Sequence, residues 1–219
     1  MQPLRFVLWD NDGVLVDTEE GYFLATQRAL ARCGVRLERA RYHELRARGH
    51  SAWETPEVRE LGRAIIDRHR AIRDEDYQRF IAGASLEIAG VRTVLDTLAR
   101  RYRMGIVTTC KRRDFDVLHR EQWLTRFMEF VLTREDFVRE KPAPDGYLAA
   151  LDRFGAKAGE AIVIEDSAQG LNAARAAGLR CVIVRNRFFG DAHAFEGAAE
   201  VIESIDALPG VIAKLSGEA

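Results

Sequence analysis

The stretch Leu4–Thr18, LRFVLWDNDGVLVDT, constrains this chain more than any other. Phe6, Val7, Leu8 and Trp9 are apolar without alternation, the pattern of a strand covered on both faces of a parallel sheet. The run then ends abruptly in Asp10, Asn11, Asp12 and Gly13. Carboxylates at i and i+2 leave a strand on the same side. They repel unless a cation or a shared proton lies between them. Open α/β sheets bind ligands outside the carboxyl ends of their strands, so the pattern predicts a cation site built for chemistry. Taken alone, the four residues also fit an ordinary polar turn. A calcium-binding EF-hand loop does not fit, because Leu8 would fall at its first ligand position.

A chain of 219 residues with 47% hydrophobic content suits one good core and a small second lobe. With a net charge of −1, no global field draws it to nucleic acid or to anionic membranes. No apolar run approaches the roughly 20 residues of a membrane helix, and nothing resembles a cleaved leader. The three cysteines (33, 110 and 181) form no metal motif. A reduced, cytoplasmic protein is the expectation. Only four of the 33 basic residues are lysines, at 111, 141, 157 and 214, so the place of each carries information.

From Glu19 the period becomes helical. Helices are predicted from Glu19 to Gly34, over 38–47, and over the charged stretches 57–70 and 74–82, with a break around His50–Thr55. No strand is expected between 18 and 84. Gly83–Gly90 links back to a rhythm of helix (from 91), strand (104–108), helix (112–120), short strand (130–133), helix (145–154), strand (161–164), helix (167–177) and strand (180–184). That order means an α/β fold, a Rossmann-like doubly wound parallel sheet. The core is expected over 1–17 and 85–219, with a small all-α cap over 18–84 inserted after the first strand.

Three predicted strands end in polar residues: Asp10 and Asp12, then Thr108, Thr109 and Lys111, then Glu165, Asp166 and Ser167. In a parallel sheet these ends share one edge. Carboxylates from two strands suit a hard cation such as Mg2+, while hydroxyls, free amides and lysine suit a phosphate. Lys141 lies on the proline-stiffened segment KPAP.

These motifs, DNDGVLVDTE, IVTTCK, EKPAPDGY and VIEDSAQGLNAARAAGL, resemble in order those of the haloacid dehalogenase-like superfamily, in its phosphatase and β-phosphoglucomutase-like group with a helical cap. The resemblance implies a nucleophile at Asp10 that forms an aspartyl-phosphate, and an acid/base at Asp12. It implies Mg2+ held by the Asp10 carboxylate, the Asp12 carbonyl and Asp166, with Glu165 as an outer partner. Thr108, the Thr109 amide and Lys141 would hold the phosphoryl oxygens. Asn11 departs from the family, where the middle residue is usually apolar; it is expected to point away from the metal and to alter packing rather than chemistry. Ser167 reads as a helix N-cap, Cys110 as a thiol beside the phosphate loop, and most of the five histidines (43, 50, 69, 119 and 193) as surface residues.

Within that group, Asp12 argues against dehalogenation, which has no leaving oxygen to protonate. Phosphonate hydrolysis needs a cap lysine, and residues 18–84 contain none. The mutases carry a histidine where this chain has Tyr22 and an arginine where it has Ala52. The expected activity is therefore hydrolysis of a small phosphorylated metabolite. A sugar-phosphate mutase and a non-catalytic binding protein are the alternatives. The cap should close over the substrate about hinges near Leu15–Asp17 and Gly83–Gly90. Specificity is expected from Tyr22, Arg46, Arg48, His50, Trp53 and Lys111, in a monomer or homodimer.

Overall fold

The computed structural model describes residues 3–121, 123–189 and 195–217. Six strands form one parallel sheet: β1 (Phe6–Trp9), β2 (Arg103–Val107), β3 (Phe130–Leu132), β4 (Ala161–Glu165), β5 (Arg180–Val184) and β6 (Glu200–Ile202), in the order β3-β2-β1-β4-β5-β6. β1 is central and pairs with β2 on one side (Trp9 opposite Ile106) and with β4 on the other (Trp9 opposite Ile164). The strand order reverses at β1, which is where such sheets open a crevice at their carboxyl ends.

The unbroken apolar runs have a direct cause in the layers. Val7, Trp9, Met104, Ile106, Ile162, Ile164, Val182 and Val184 pack on one face against α5 (Val91–Ala99) and α9 (Leu208–Ser216). Phe6, Leu8, Val107, Val163, Cys181 and Ile183 pack on the other against α7 (Asp145–Phe154) and α8 (Ala168–Ala176). Each strand is buried on both sides, so apolar side chains are needed at successive positions. The helix α6 (Arg112–Leu118) follows β2. Neither β6 nor α9 is predicted above: a three-residue edge strand and a helix beginning LPG carry little periodic signal.

Between β1 and α5 the described elements are helical. α1 (Glu19–Ala31), α2 (Arg39–Ala47), a single turn at Ala52–Glu54, α3 (Pro56–Arg59) and α4 (Arg63–Gly83) pack around Phe23, Leu30, Tyr42, Leu45, Trp53 and Val58. Here the sequence reading needs a correction. The two helices expected over 57–70 and 74–82 are a short α3 and one continuous α4 of 21 residues. The break falls earlier, at Gly62 with φ of 82°, a conformation in which side-chain-bearing residues are strained. The charged stretch at 73–76 stays helical because its members pair locally, Arg73 with Asp74 and Arg79 with Asp76.

The two crossings between this helical segment and the sheet run side by side. Asp17 donates to the Leu86 carbonyl at 2.8 Å, Ile88 donates to Leu15 at 3.3 Å, and Val16 bridges Glu87 antiparallel.

Candidate active site

Trp9 ends β1 and the chain turns out of the sheet through Asp10–Gly13. Gly13 has φ of +81°, and a Cβ there would stand 1.9 Å from Asp166 Oδ2. The turn therefore needs glycine twice, for its backbone angle and for the close approach of the β4 loop. From the neighbouring strand β4 come Glu165 and Asp166, and Asp10, Glu165 and Asp166 each bring a carboxylate oxygen to within 4.8 Å of the others. Lys141 enters from the loop before α7. Its ammonium donates to Asp10 Oδ1 at 2.6 Å, to Glu165 Oε1 at 2.7 Å and to the Val107 carbonyl at 2.9 Å.

Three buried carboxylates against one ammonium leave an excess of negative charge. Burial, with Glu165 adding to it and Lys141 opposing, pushes Asp10 up to about 8. Burial likewise pushes Asp166 well above its usual range, with Asp10 and Glu165 adding. Burial alone would lower the Lys141 ammonium; Asp10 and Glu165 outweigh it and hold it above its ordinary value. A divalent cation among these oxygens removes the repulsion that otherwise requires a proton.

The carboxylates are not equivalent. Glu165 is fully buried, and its oxygens accept from Lys141, the Tyr147 hydroxyl, the amides of Asp166 and Ser167 and the Ser167 hydroxyl. With its lone pairs so occupied, it anchors Lys141 and the β4 turn. Asp166 accepts from Asn186 at 2.8 Å. Ser167 caps α8 by accepting from Gly170, as the sequence suggests.

Asp12 is held separately. Thr18 donates to its Oδ1 at 2.6 Å, while Thr108 at 3.3 Å and the Asn11 amide at 3.2 Å donate to its Oδ2. Thr108 in turn accepts from the Cys110 amide. Burial pushes the Cys110 thiol well up, with Asp12 adding, so it is not a ready thiolate.

These groups floor a cleft of about 540 Å3 whose roof is the helical segment. Asp10, Asp12, Thr109, Lys111, Lys141, Glu165 and Asp166 line it, as do Tyr22, Arg46, His50 and Trp53. Arg48 does not; it pairs with Glu44 at 3.1 Å one helical turn away. Lys111 is tied to Asp74 at 2.6 Å. Tyr22 packs edge-on to Tyr77, with Arg73 4.5 Å over its ring.

Sequence reasoning misses Thr18 and Glu19, which the turn after β1 brings back to the site, and Arg73, Asp74 and Asn186, which long-range packing brings there. Asn11 bonds the Asp12 carboxylate, and His119, unlike the other described histidines, is buried: it is 7% exposed and meets Asn11 Oδ1 at 2.7 Å. His193 lies outside the described residues.

Against known proteins, a model of the family described as haloacid dehalogenase-like hydrolase matches residues 7–184. The chain is 32% identical to the protein CbbY of Cereibacter sphaeroides, over 95% of each sequence. It is 27% identical to the fructose-1-phosphate phosphatase YqaB of Escherichia coli, over 82% of this chain and 95% of that one. The crystal structure of CbbY from Rhodobacter sphaeroides in complex with xylulose-(1,5)bisphosphate superposes with a TM-score of 0.80 at 24% identity, over 94% of this chain and 96% of the other.

Proposed function

The chain belongs to the haloacid dehalogenase-like hydrolase family, and from that membership we propose that it is a Mg2+-dependent phosphatase of small phosphorylated metabolites, acting through an aspartyl-phosphate on Asp10. One observation carries the reading: Lys141 clamps Asp10 Oδ1 to Glu165 at 2.6 and 2.7 Å beside Asp166.

The clamp fixes the Asp10 carboxylate by one oxygen and leaves the other to attack phosphorus. As that bond forms and the ester P–O bond breaks, the electron pair leaves with the ester oxygen, which takes a proton from Asp12. Asp12, now a carboxylate, then takes a proton from a water whose oxygen attacks the phosphoryl group. Inorganic phosphate departs and both aspartates are restored. Thr108, the Thr109 amide and Lys141 hold the transferring oxygens, and positioning supplies most of the rate.

The donor set fits a hard divalent ion, with Asp10, Asp166 and the Asp12 carbonyl as its holders. Bound there, Mg2+ would neutralise phosphoryl charge and keep Asp10 ionised.

Residues 18–84 act as a cap on a core of 1–17 and 85–219, hinged where Leu15–Asp17 lies along 86–88. The cleft volume and its cations, Arg46, Arg73 and Lys111, suit a sugar phosphate or a similar small acid. Tyr22 in place of a mutase histidine favours hydrolysis over phosphoryl relocation. The complete set Asp10, Asp12, Lys141 and Asp166 favours turnover over mere binding.

A panel of phosphomonoesters assayed with and without Mg2+ tests the proposal. Phosphate release that needs the metal is expected. Silence across sugar phosphates, phosphoglycolate, nucleotides and p-nitrophenyl phosphate would contradict it.

A further inference from the structure

The turn after β5 touches both halves of the molecule. Arg185 leaves the sheet with its amide bonded to the Ile202 carbonyl at 2.9 Å, and the Phe189 amide closes the turn on the Asn186 carbonyl at 3.2 Å. The Asn186 side chain is held at both ends. Its Nδ2 donates to Asp166 Oδ2 at 2.8 Å, and its Oδ1 accepts from the Phe188 amide at 2.9 Å. A carboxylate only accepts and a backbone N–H only donates, so the Asn186 amide has one orientation. A Cβ on Gly13 would stand 2.5 Å from that Nδ2, so the turn also packs closely on the exit from β1.

Two residues on, the same turn enters the helical segment. The Phe188 ring lies edge-on to His43 at 4.8 Å and 6.1 Å from Phe23 and Tyr42, with the Arg39 guanidinium 5.1 Å from its centroid. Phe189 stands 5.5 Å from His43 and is buried. Among the described residues, these two phenylalanines are the members of the segment's apolar cluster that come from outside residues 18–84. Other cross-links are polar: Asp74 with Lys111 and Arg113, Gln78 with Asp114, and Gln169 with the Gly49 carbonyl. Water readily replaces such contacts. It does not replace the aromatic joint, whose separation exposes apolar rings.

We propose that Phe188 and Asn186 are positioning residues whose turn couples the seating of the cap to the orientation of Asp166. This rests on Asp166 holding Mg2+ and on residues 18–84 acting as a cap, both parts of the phosphatase reading. With the cap seated, Phe188 pins the turn and the Asn186 amide stays on Asp166, which sets the plane of that carboxyl group for the ion. With the cap raised, the ring loses its partners and the turn loosens its hold on Asp166. The contacts run without a gap from Asp166 through Asn186 and Phe188 to His43 on α2. Coupling is reciprocal, so bound Mg2+ favours the seated cap by the same factor. Neither residue touches substrate.

Isothermal titration calorimetry with Mg2+ and no substrate tests this in the wild type, Asn186→Ala, Phe188→Ala, the double variant and Val58→Ala, after thermal melts establish folding. Val58→Ala loosens the same apolar cluster from α3. Asn186→Ala should weaken Mg2+ binding about 10-fold or more, as loss of a metal ligand's own partner does. Phe188→Ala leaves the Asn186 side chain in place and should still weaken it about 5-fold or more, the low end of coupling between sites. In the double variant Phe188→Ala should add almost nothing, because the link is already cut. Val58→Ala should leave the affinity nearly unchanged. A second readout needs no substitution at Phe188: Mg2+ should slow amide hydrogen exchange over Arg39–Ala47 in the wild type, and not in Asn186→Ala.

Unchanged affinity in Phe188→Ala, additive losses in the double variant, or an equal loss in Val58→Ala would overturn the proposal. If Phe188→Ala does not fold, exchange decides, and wild-type exchange over Arg39–Ala47 that ignores bound Mg2+ overturns it. If the wild-type chain binds no Mg2+ at all, it is the metal-dependent phosphatase reading that fails instead.

Discussion

Lys141 is buried between Asp10 and Glu165, and its removal strands both. Breaking a buried pair costs about 3–5 kcal/mol because the partner charge remains without compensation. Lys141→Met should therefore lower stability in denaturant titrations by that order as well as abolishing turnover. A variant of full stability would mean that the ammonium contributes nothing to holding the carboxylates. At this scale the legible residues were those whose chemistry ends a strand. Asp10, Asp12 and Asp166 lie within three residues of the end of an apolar run, and Lys141 stands out because lysine is rare here. The bond between Asn11 and His119 is not legible in the sequence. They are 108 positions apart in sequence, and only the docking of α6 beside β1 brings the imidazole to the amide. Arg48 failed for the opposite reason. Proximity in sequence to His50 suggested the cleft, but helical geometry turns it toward Glu44.

The strands were readable because each is short, apolar and buried on both faces, while β6 and α9 lacked that density of signal. The helix α4 is continuous where the sequence suggests a gap at 71–73 between two heavily charged helices. Its surface ion pairs, among them Arg63 with Asp67, satisfy those charges without ending the helix. This makes a sharp prediction. Ala71 lies in the gap between the two helices expected from sequence and is instead inside α4. Ala71→Pro removes a hydrogen bond and clashes with the preceding turn, at a cost of about 3 kcal/mol or more. A correspondingly lower midpoint in thermal or urea unfolding is expected; an unchanged midpoint would favour a break at 71–73. The turn after β1 has its own test. Gly13→Ala should abolish phosphatase activity, since its Cβ would collide with Asp166 and the backbone angle is strained for alanine. Wild-type turnover in that variant would contradict the close packing of the two loops.

Across the whole molecule, topology converts separate motifs into one site. Parallel order puts the ends of β1, β2 and β4 on a single edge, and the helical segment inserted after β1 roofs it. The cleft contacts of Glu19, Arg73 and Asp74 could not be read from sequence because they depend on how α1 and α4 pack over that edge. The excess of carboxylate there links stability to pH. The folded value for Asp10, about 8, lies above the 3.8 of an unperturbed side chain, so the folded chain holds a proton that the unfolded chain releases. Without metal, stability should fall as pH rises between those values and level off above them. Mg2+ held by the folded state, as proposed, should raise the melting temperature more near pH 8 than near pH 5. Thermal melts with and without the ion check this, and an equal shift at both pH values would contradict it. The most direct test of the central claim is to quench the enzyme in acid during turnover of a phosphomonoester with Mg2+ and map the trapped phosphoryl group by peptide mass spectrometry. The account predicts the group on Asp10, absent from an inactive but folded Asp10→Asn variant. Turnover with no phosphoryl group on Asp10, or full activity in Asp10→Asn, would contradict it.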